Sequence, residues 1–146
     1  MFNKTGFKLL GLAAMVSILF ITQAQTEEQG WKKTITLPSG EVVCDLNGEW
    51  DWVWTGHGPA VGAGRDRDVI KITQQGNSFK GIHMKGYRSA LKGSVAIEGE
   101  LDKNGFKKLI YTGVGSSNTF NGKISKDGNK IEFRSPNSFV VEMTRR

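Results

Sequence analysis

The residues with the widest chemical reach in this 146-residue chain lie in one glycine-rich stretch, Thr55-Gly56-His57-Gly58-Pro59-Ala60-Val61-Gly62-Ala63-Gly64-Arg65-Asp66-Arg67. A 13-residue connection with four glycines is longer than a hairpin needs, and long loops inside compact domains often carry function. His57, Arg65 and Arg67 offer donors to an anionic group. The stretch reads either as a basic lid over a binding site or as a plain covering loop. Its glycines do not form a phosphate cradle, because no helix follows whose N-terminus would hold the anion. A second set, Trp52, Trp54, Phe120, Phe133 and Phe139, falls on alternating positions that share one side of a sheet. Those rings suit an apolar ligand cavity and suit a solid core equally well.

Other chemistries find less support. His57, His83 and Cys44 are spaced like no zinc site. Asp102-Lys103-Asn104-Gly105 starts like a calcium loop, lacks the later ligands and reads as a turn. No serine sits in a nucleophile elbow and no motif pairs two carboxylates. No catalytic residue, metal or cofactor is assigned, and the chain reads more as a binding protein than as an enzyme. Because sites assemble in space, that reading leaves enzymatic activity open. The lone Cys44 cannot form an intramolecular disulfide; it reads as a small buried hydrophobe, or else as an intermolecular or reactive thiol.

Strands must position these side chains. Period-two alternation predicts eight of them, at residues 49–55, 68–75, 78–84, 90–101, 106–112, 119–126, 130–134 and 138–144. The turns Gln75-Gly76-Asn77, Asp102-Lys103-Asn104-Gly105 and Lys126-Asp127-Gly128-Asn129 supply positive backbone torsions for tight hairpins, so consecutive strands are expected to be antiparallel neighbours. No sustained helical periodicity is available to cover a sheet face. The apolar side runs through Trp50, Trp52 and Trp54, then Ile70 and Ile72, Leu91, Val95, Ile97 and Leu101, and on to Val141 and Met143. A sheet with one such face hides it by closing, which predicts an all-β, eight-stranded antiparallel up-and-down barrel. Gly81, Gly93, Gly99 and Gly122 fall at inward positions, where they let strands coil and would leave empty volume. Residues 106–111 carry apolar side chains on both faces. Ahead of the barrel at residues 47–146, a tail at 25–46 contains two short runs around Pro38-Ser39-Gly40 that predict a small hairpin.

Gly48-Glu49-Trp50 at the first barrel strand resembles the G-x-W motif of lipocalins, residues 55–67 resemble their overhanging loop, and Arg145-Arg146 resembles the arginine that ends their last strand. On these features the chain is similar to the calycin group. The resemblance implies that Trp50 plugs the closed end and that Arg145 stacks over it, a cation–π contact of roughly 0.5–2 kcal/mol. It implies structural roles for those two residues and a small ligand inside the barrel. The chain departs from the group in having no helix pattern after the last strand and no possible lipocalin disulfide. All four tryptophans precede residue 55, so the later tryptophans of an avidin biotin pocket are missing and biotin is not implied.

The N-terminus reads as a secretory signal: Lys4 and Lys8, an apolar run over residues 9–21, then Thr22-Gln23-Ala24. Those 13 apolar residues fall short of the roughly 20 that a membrane helix needs, so cleavage after Ala24 is expected, with no transmembrane segment afterwards. The full chain carries a net charge of +6; loss of the leader leaves 18 basic against 14 acidic residues, or +4. The basic residues are scattered rather than massed, which argues against a nucleic-acid partner. The expectation is a periplasmic or secreted, non-enzymatic binding protein that holds a small apolar or amphipathic ligand in its barrel. The alternative is a solid barrel that binds a protein partner or the envelope through its loops.

Overall fold

The computed structural model describes residues 30–146; the expected leader, the cleavage expected after Ala24 and the first tail residues lie outside the described residues. Two strands, β1 (Thr34–Thr36) and β2 (Val42–Cys44), form an antiparallel hairpin around Pro38-Ser39-Gly40. Nine more strands follow: β3 (Gly48–Gly56), β4 (Arg65–Gln75), β5 (Ser78–His83), β6 (Val95–Asp102), β7 (Gly105–Gly113), β8 (Ser116–Phe120), β9 (Gly122–Ile124), β10 (Lys130–Ser135) and β11 (Phe139–Arg145). A short 3-10 helix at Gly58–Ala63 joins β3 to β4. The nine strands form one antiparallel sheet in the order β8-β7-β6-β5-β4-β3-β11-β10-β9, which curls into a nearly closed barrel.

The barrel sheet has nine strands where the periodicity predicted eight, because the run at 119–126 breaks at Asn121. Its first part, β8, bonds to β7, and its second part, β9, bonds to β10. One chain segment thus steps from one edge of the sheet to the other and brings the edges together. Gly122 lets the step pack closely: a Cβ there would lie 2.5 Å from Leu109 Cδ2 and 2.8 Å from Phe106 Cδ2, so those side chains would have to shift.

Three further departures from the sequence pattern matter for the site. The run at 90–101 becomes strand only from Val95. Residues 84–94 form a loop in which Tyr87 and Ala90 make an isolated bridge, Gly86 and Gly93 take positive φ, and Leu91 is 81% exposed. Leu91 is therefore not a core residue, and Gly93 is a turn residue rather than an inward strand glycine. Next, the pairing of β6 with each neighbour carries a bulge, one on β6 itself and one on β7. Gly81 faces Ile97 and Ile82 faces Val95, leaving Ala96 without an opposite residue on β5. Glu100 faces Lys108 and Leu101 faces Phe106, leaving Lys107 without one on β6. The extra residue reverses the alternation, so Phe106 packs on the core together with Leu109 and Tyr111. This accounts for the two apolar faces read at 106–111. Finally, the inward glycines do not leave voids. A Cβ on Gly81 would stand 2.7 Å from Ile70 Cγ2, and one on Gly99 would collide with the Lys108 carbonyl oxygen.

The barrel's lower half is solid. Trp50, Trp52, Ile70, Ile72, Ile97, Leu101, Leu109, Ile131, Phe133 and Met143 are all buried. The β1–β2 hairpin and its flanks close the lower end by adding Trp31, Val43, Cys44 and Leu46 to this core. Gln74 fixes the closure: its Oε1 accepts from the Leu46 amide at 2.7 Å and its Nε2 donates to the Cys44 carbonyl at 3.0 Å. Among the described residues no helix is long and apolar enough to cross a membrane.

Candidate functional site

Four connections crowd the opposite end: β3 to β4, β5 to β6, β7 to β8 and β10 to β11. Between them opens a cavity of about 380 Å³. Its aromatic lining is Trp54, Tyr87, Tyr111, Phe120 and Phe139, and its polar lining includes Asp66, Arg88, Ser89, Ser116 and Asn118. The strand alternation of β3 sets the depth of the site. Trp50 and Trp52 are fully enclosed, while Trp54, two positions nearer the mouth, is only partly covered.

The rings are packed against one another. Trp54 stacks on Phe139 with centroids 5.7 Å apart and planes at 28°. Tyr111 meets Phe139 at 5.3 Å and Phe120 at 5.9 Å, and Phe120 meets Phe139 at 5.5 Å. Trp52 and Phe133, each about 1% exposed, form the floor through contacts with Tyr111 at 5.9 and 5.5 Å. These two lie under the cavity and do not line it.

Two loops supply the rest. Arg88, in the 84–94 loop, donates to the Ala63 carbonyl and sits 3.5 Å from Asp66 Oδ2. Burial pushes the Tyr87 hydroxyl pKa above its ordinary value, and the neighbouring Tyr111 phenol pushes it further. Burial raises Tyr111 as well, so both rings offer neutral hydroxyls at neutral pH.

Beneath the loop lies a buried polar pair. His83 Nδ1 is 2.9 Å from Asp68 Oδ2, and the carboxylate also accepts from the backbone amides of Val69 (2.6 Å), Lys85 (3.0 Å) and Gly86 (3.0 Å). Burial alone would raise the Asp68 pKa, but these donors more than offset it and hold it below the ordinary value. Burial holds His83 below its ordinary value despite the pull of Asp68. The imidazole is therefore neutral at pH 7, with Nδ1–H donating to the carboxylate. Its ring meets Trp52 and Tyr87 edge-on at 5.7 and 5.4 Å. The pair ties the 84–94 loop to β4 and so fixes where Tyr87 and Arg88 stand.

Of the residues singled out from the sequence, Trp54, Phe120 and Phe139 line the cavity together. The expected basic lid is not assembled there. Arg65 and Arg67 belong to β4, opposite Thr55 and Val53, where they alternate with Asp66 and Asp68; both are exposed and neither lines the cavity. His57 is held through its backbone amide, which donates to the Ser138 carbonyl at 2.8 Å, and it too is absent from the lining. The connection proper spans only residues 57–64. At the closed end, the Arg145 guanidinium carbon lies 4.4 Å from the Trp50 ring centroid, and Trp50 Nε1 donates to the Leu46 carbonyl at 2.9 Å. Sequence reasoning missed Asp66, Tyr87, Arg88 and Tyr111. The glycines at 86 and 93 were the available sign that 84–94 is a loop and that its tyrosine and arginine are placed by it.

Among the described residues no three His, Cys, Asp or Glu side chains converge as a metal site. Cys44 is fully buried, and burial pushes its thiol up to about 11. No protein-family model, curated protein or solved structure matches the chain. The site's geometry alone carries the functional reading.

Proposed function

We propose that this chain is an exported, lipocalin-like binding protein, periplasmic or secreted, that takes a small apolar or amphipathic molecule into the mouth of its barrel. One observation carries the reading. The barrel core is solid below Trp52 and Phe133, whereas above them five aromatic rings border an open space of about 380 Å³. That volume falls in the range of small-molecule sites, roughly 300–1,000 Å³, and apolar walls with a few polar groups are their usual lining. The partly covered rings of Trp54, Tyr87, Phe120 and Phe139 would gain from a ligand further burial of their apolar surface. Titration with small aromatic probes, followed by tryptophan fluorescence and calorimetry, tests the proposal. Saturable uptake that falls at least about tenfold in Phe139→Ala is expected, the loss of one stacked ring. A folded protein that takes up no probe rejects it.

A second reading has its own observation. Val61, Leu91 and Val114 are 68%, 81% and 74% exposed, and all three sit on connections at the mouth. An apolar rim of this kind suits contact with a protein surface. A stoichiometric partner that is lost when Val61 and Leu91, which do not line the cavity, are changed to serine, with probe uptake retained, would favour it.

A further inference from the structure

We infer that the mouth selects a small cationic ligand: an aromatic or apolar amine in its ammonium form, held by the ring faces with its charge beside Asp66. The inference deepens the binding reading above and rests on it. The sign of the site is the informative point. Arg65 and Arg67 suggested an anionic ligand, yet they stand on the outer face of β4, and the residue between them, Asp66, lines the cavity.

Asp66 has a side chain only 19% exposed, and Arg88 contacts it at 3.5 Å from a side chain 64% exposed. So long and exposed an ion pair is weak in water. The guanidinium, itself part of the lining, donates to the Ala63 carbonyl, so its hydrogen bonding is directed to the backbone more than to Asp66. A ligand therefore meets an inward carboxylate among the rings of Trp54, Tyr87, Tyr111, Phe120 and Phe139. The faces of aromatic rings attract cations and do not attract carboxylates. The remaining polar lining, Ser89, Ser116 and Asn118, is neutral. Arg88 then competes with the ligand for Asp66, as a latch between the 84–94 loop and the 3-10 turn that an incoming ammonium displaces.

Three probes of matched shape decide the matter: 2-phenylethylamine, 2-phenylethanol and 3-phenylpropionate, each titrated into the purified protein at pH 7 and low salt. The ammonium is expected to bind at least about tenfold more tightly than the alcohol, with the carboxylate weakest. Asp66→Asn removes that preference, bringing the ammonium down to the level of the alcohol. Arg88→Gln, an exposed change that does not threaten folding, strengthens ammonium binding about two- to fivefold, an effect on the scale of an exposed ion pair. Alcohol or carboxylate binding as tight as the ammonium overturns the inference while sparing the binding reading, and so does weaker ammonium binding in Arg88→Gln. Failure of all three probes on a folded protein overturns both.

Discussion

The two ends of this barrel are furnished with the same kind of side chain and put it to opposite use. At the closed end Trp50 is covered on every side: the hairpin segment supplies Trp31, Val43, Cys44 and Leu46, and Arg145 lies over the indole while bonding the carbonyls of Asn47 (3.0 Å), Asp45 (2.5 Å) and Gly128 (3.3 Å). At the mouth, Trp54 stacks on Phe139 with centroids 5.7 Å apart, but both rings remain only partly covered and border the cavity. Both tryptophans come from one strand, four residues apart. Alternation along a strand decides which side chains face in. Whether an inward ring becomes core or receptor depends on what the rest of the chain puts above it.

Trp50→Ala is the strongest way to break the comparison. It empties a fully buried indole site, orphans the Leu46 carbonyl and leaves the Arg145 guanidinium without its ring, so urea unfolding is expected to show a loss of about 3–5 kcal/mol. A loss below about 1.5 kcal/mol would mean that the plug is not where the barrel's stability sits. Gly99→Ala comes next. A Cβ there meets a backbone carbonyl, that of Lys108, which cannot rotate away as a side chain can. Strain of about 1–3 kcal/mol is expected, again read from urea unfolding. A neutral result would show that the wall at β6 and β7 has slack.

Acid should loosen the mouth before it reaches the plug. His83 and Asp68 both have folded pKa values below their ordinary ones of 6.5 and 3.8. For each, the unfolded chain binds the proton first, so its stabilising contribution is complete above the ordinary value and is lost as pH falls below it. The melting temperature is therefore expected to hold above pH 6.5, to decline below it through His83, and to decline further below 3.8 through Asp68. His83→Gln should flatten the upper part of that decline. Amide exchange should show the 84–94 loop opening first, since the pair is what ties it to β4. A wild-type melting temperature that is flat from pH 7 to 5 would refute the assignment.

Much of the architecture was legible because hydrophobic alternation and glycine turns are local signals. The hairpins at 75–78 and 102–105 and the inward series 50, 52 and 54 follow from a few adjacent residues. The site was only half legible. Trp54, Phe120 and Phe139 carry their inward direction in the alternation, but Asp66 was hidden by its neighbours. Read by composition, Arg65-Asp66-Arg67 is a basic cluster; read by strand parity, it is one inward acid between two outward bases. That parity required knowing that β4 begins at Arg65 rather than at Asp68. The bulges at Ala96 and Lys107 were likewise beyond reach, since an unpaired residue is defined by the strand across from it. Leu91 was misplaced because an apolar residue in rhythm with its neighbours reads as core.

Leu91 gives the smallest expected effect and a sharp contrast with Leu109. Both are leucines that the sequence places among strand residues, yet Leu91 is 81% exposed on the 84–94 loop and Leu109 is fully buried on β7. Leu109→Ala should cost about 2–5 kcal/mol, as a cavity in the wall beneath the mouth. Leu91→Ala should change stability by no more than about 0.5 kcal/mol, because the side chain gives up little contact on truncation. A cost above about 1 kcal/mol for Leu91 would mean that the loop folds down over the rings. The mouth would then be a lidded core rather than an open receptor, and the difference between the two ends would disappear.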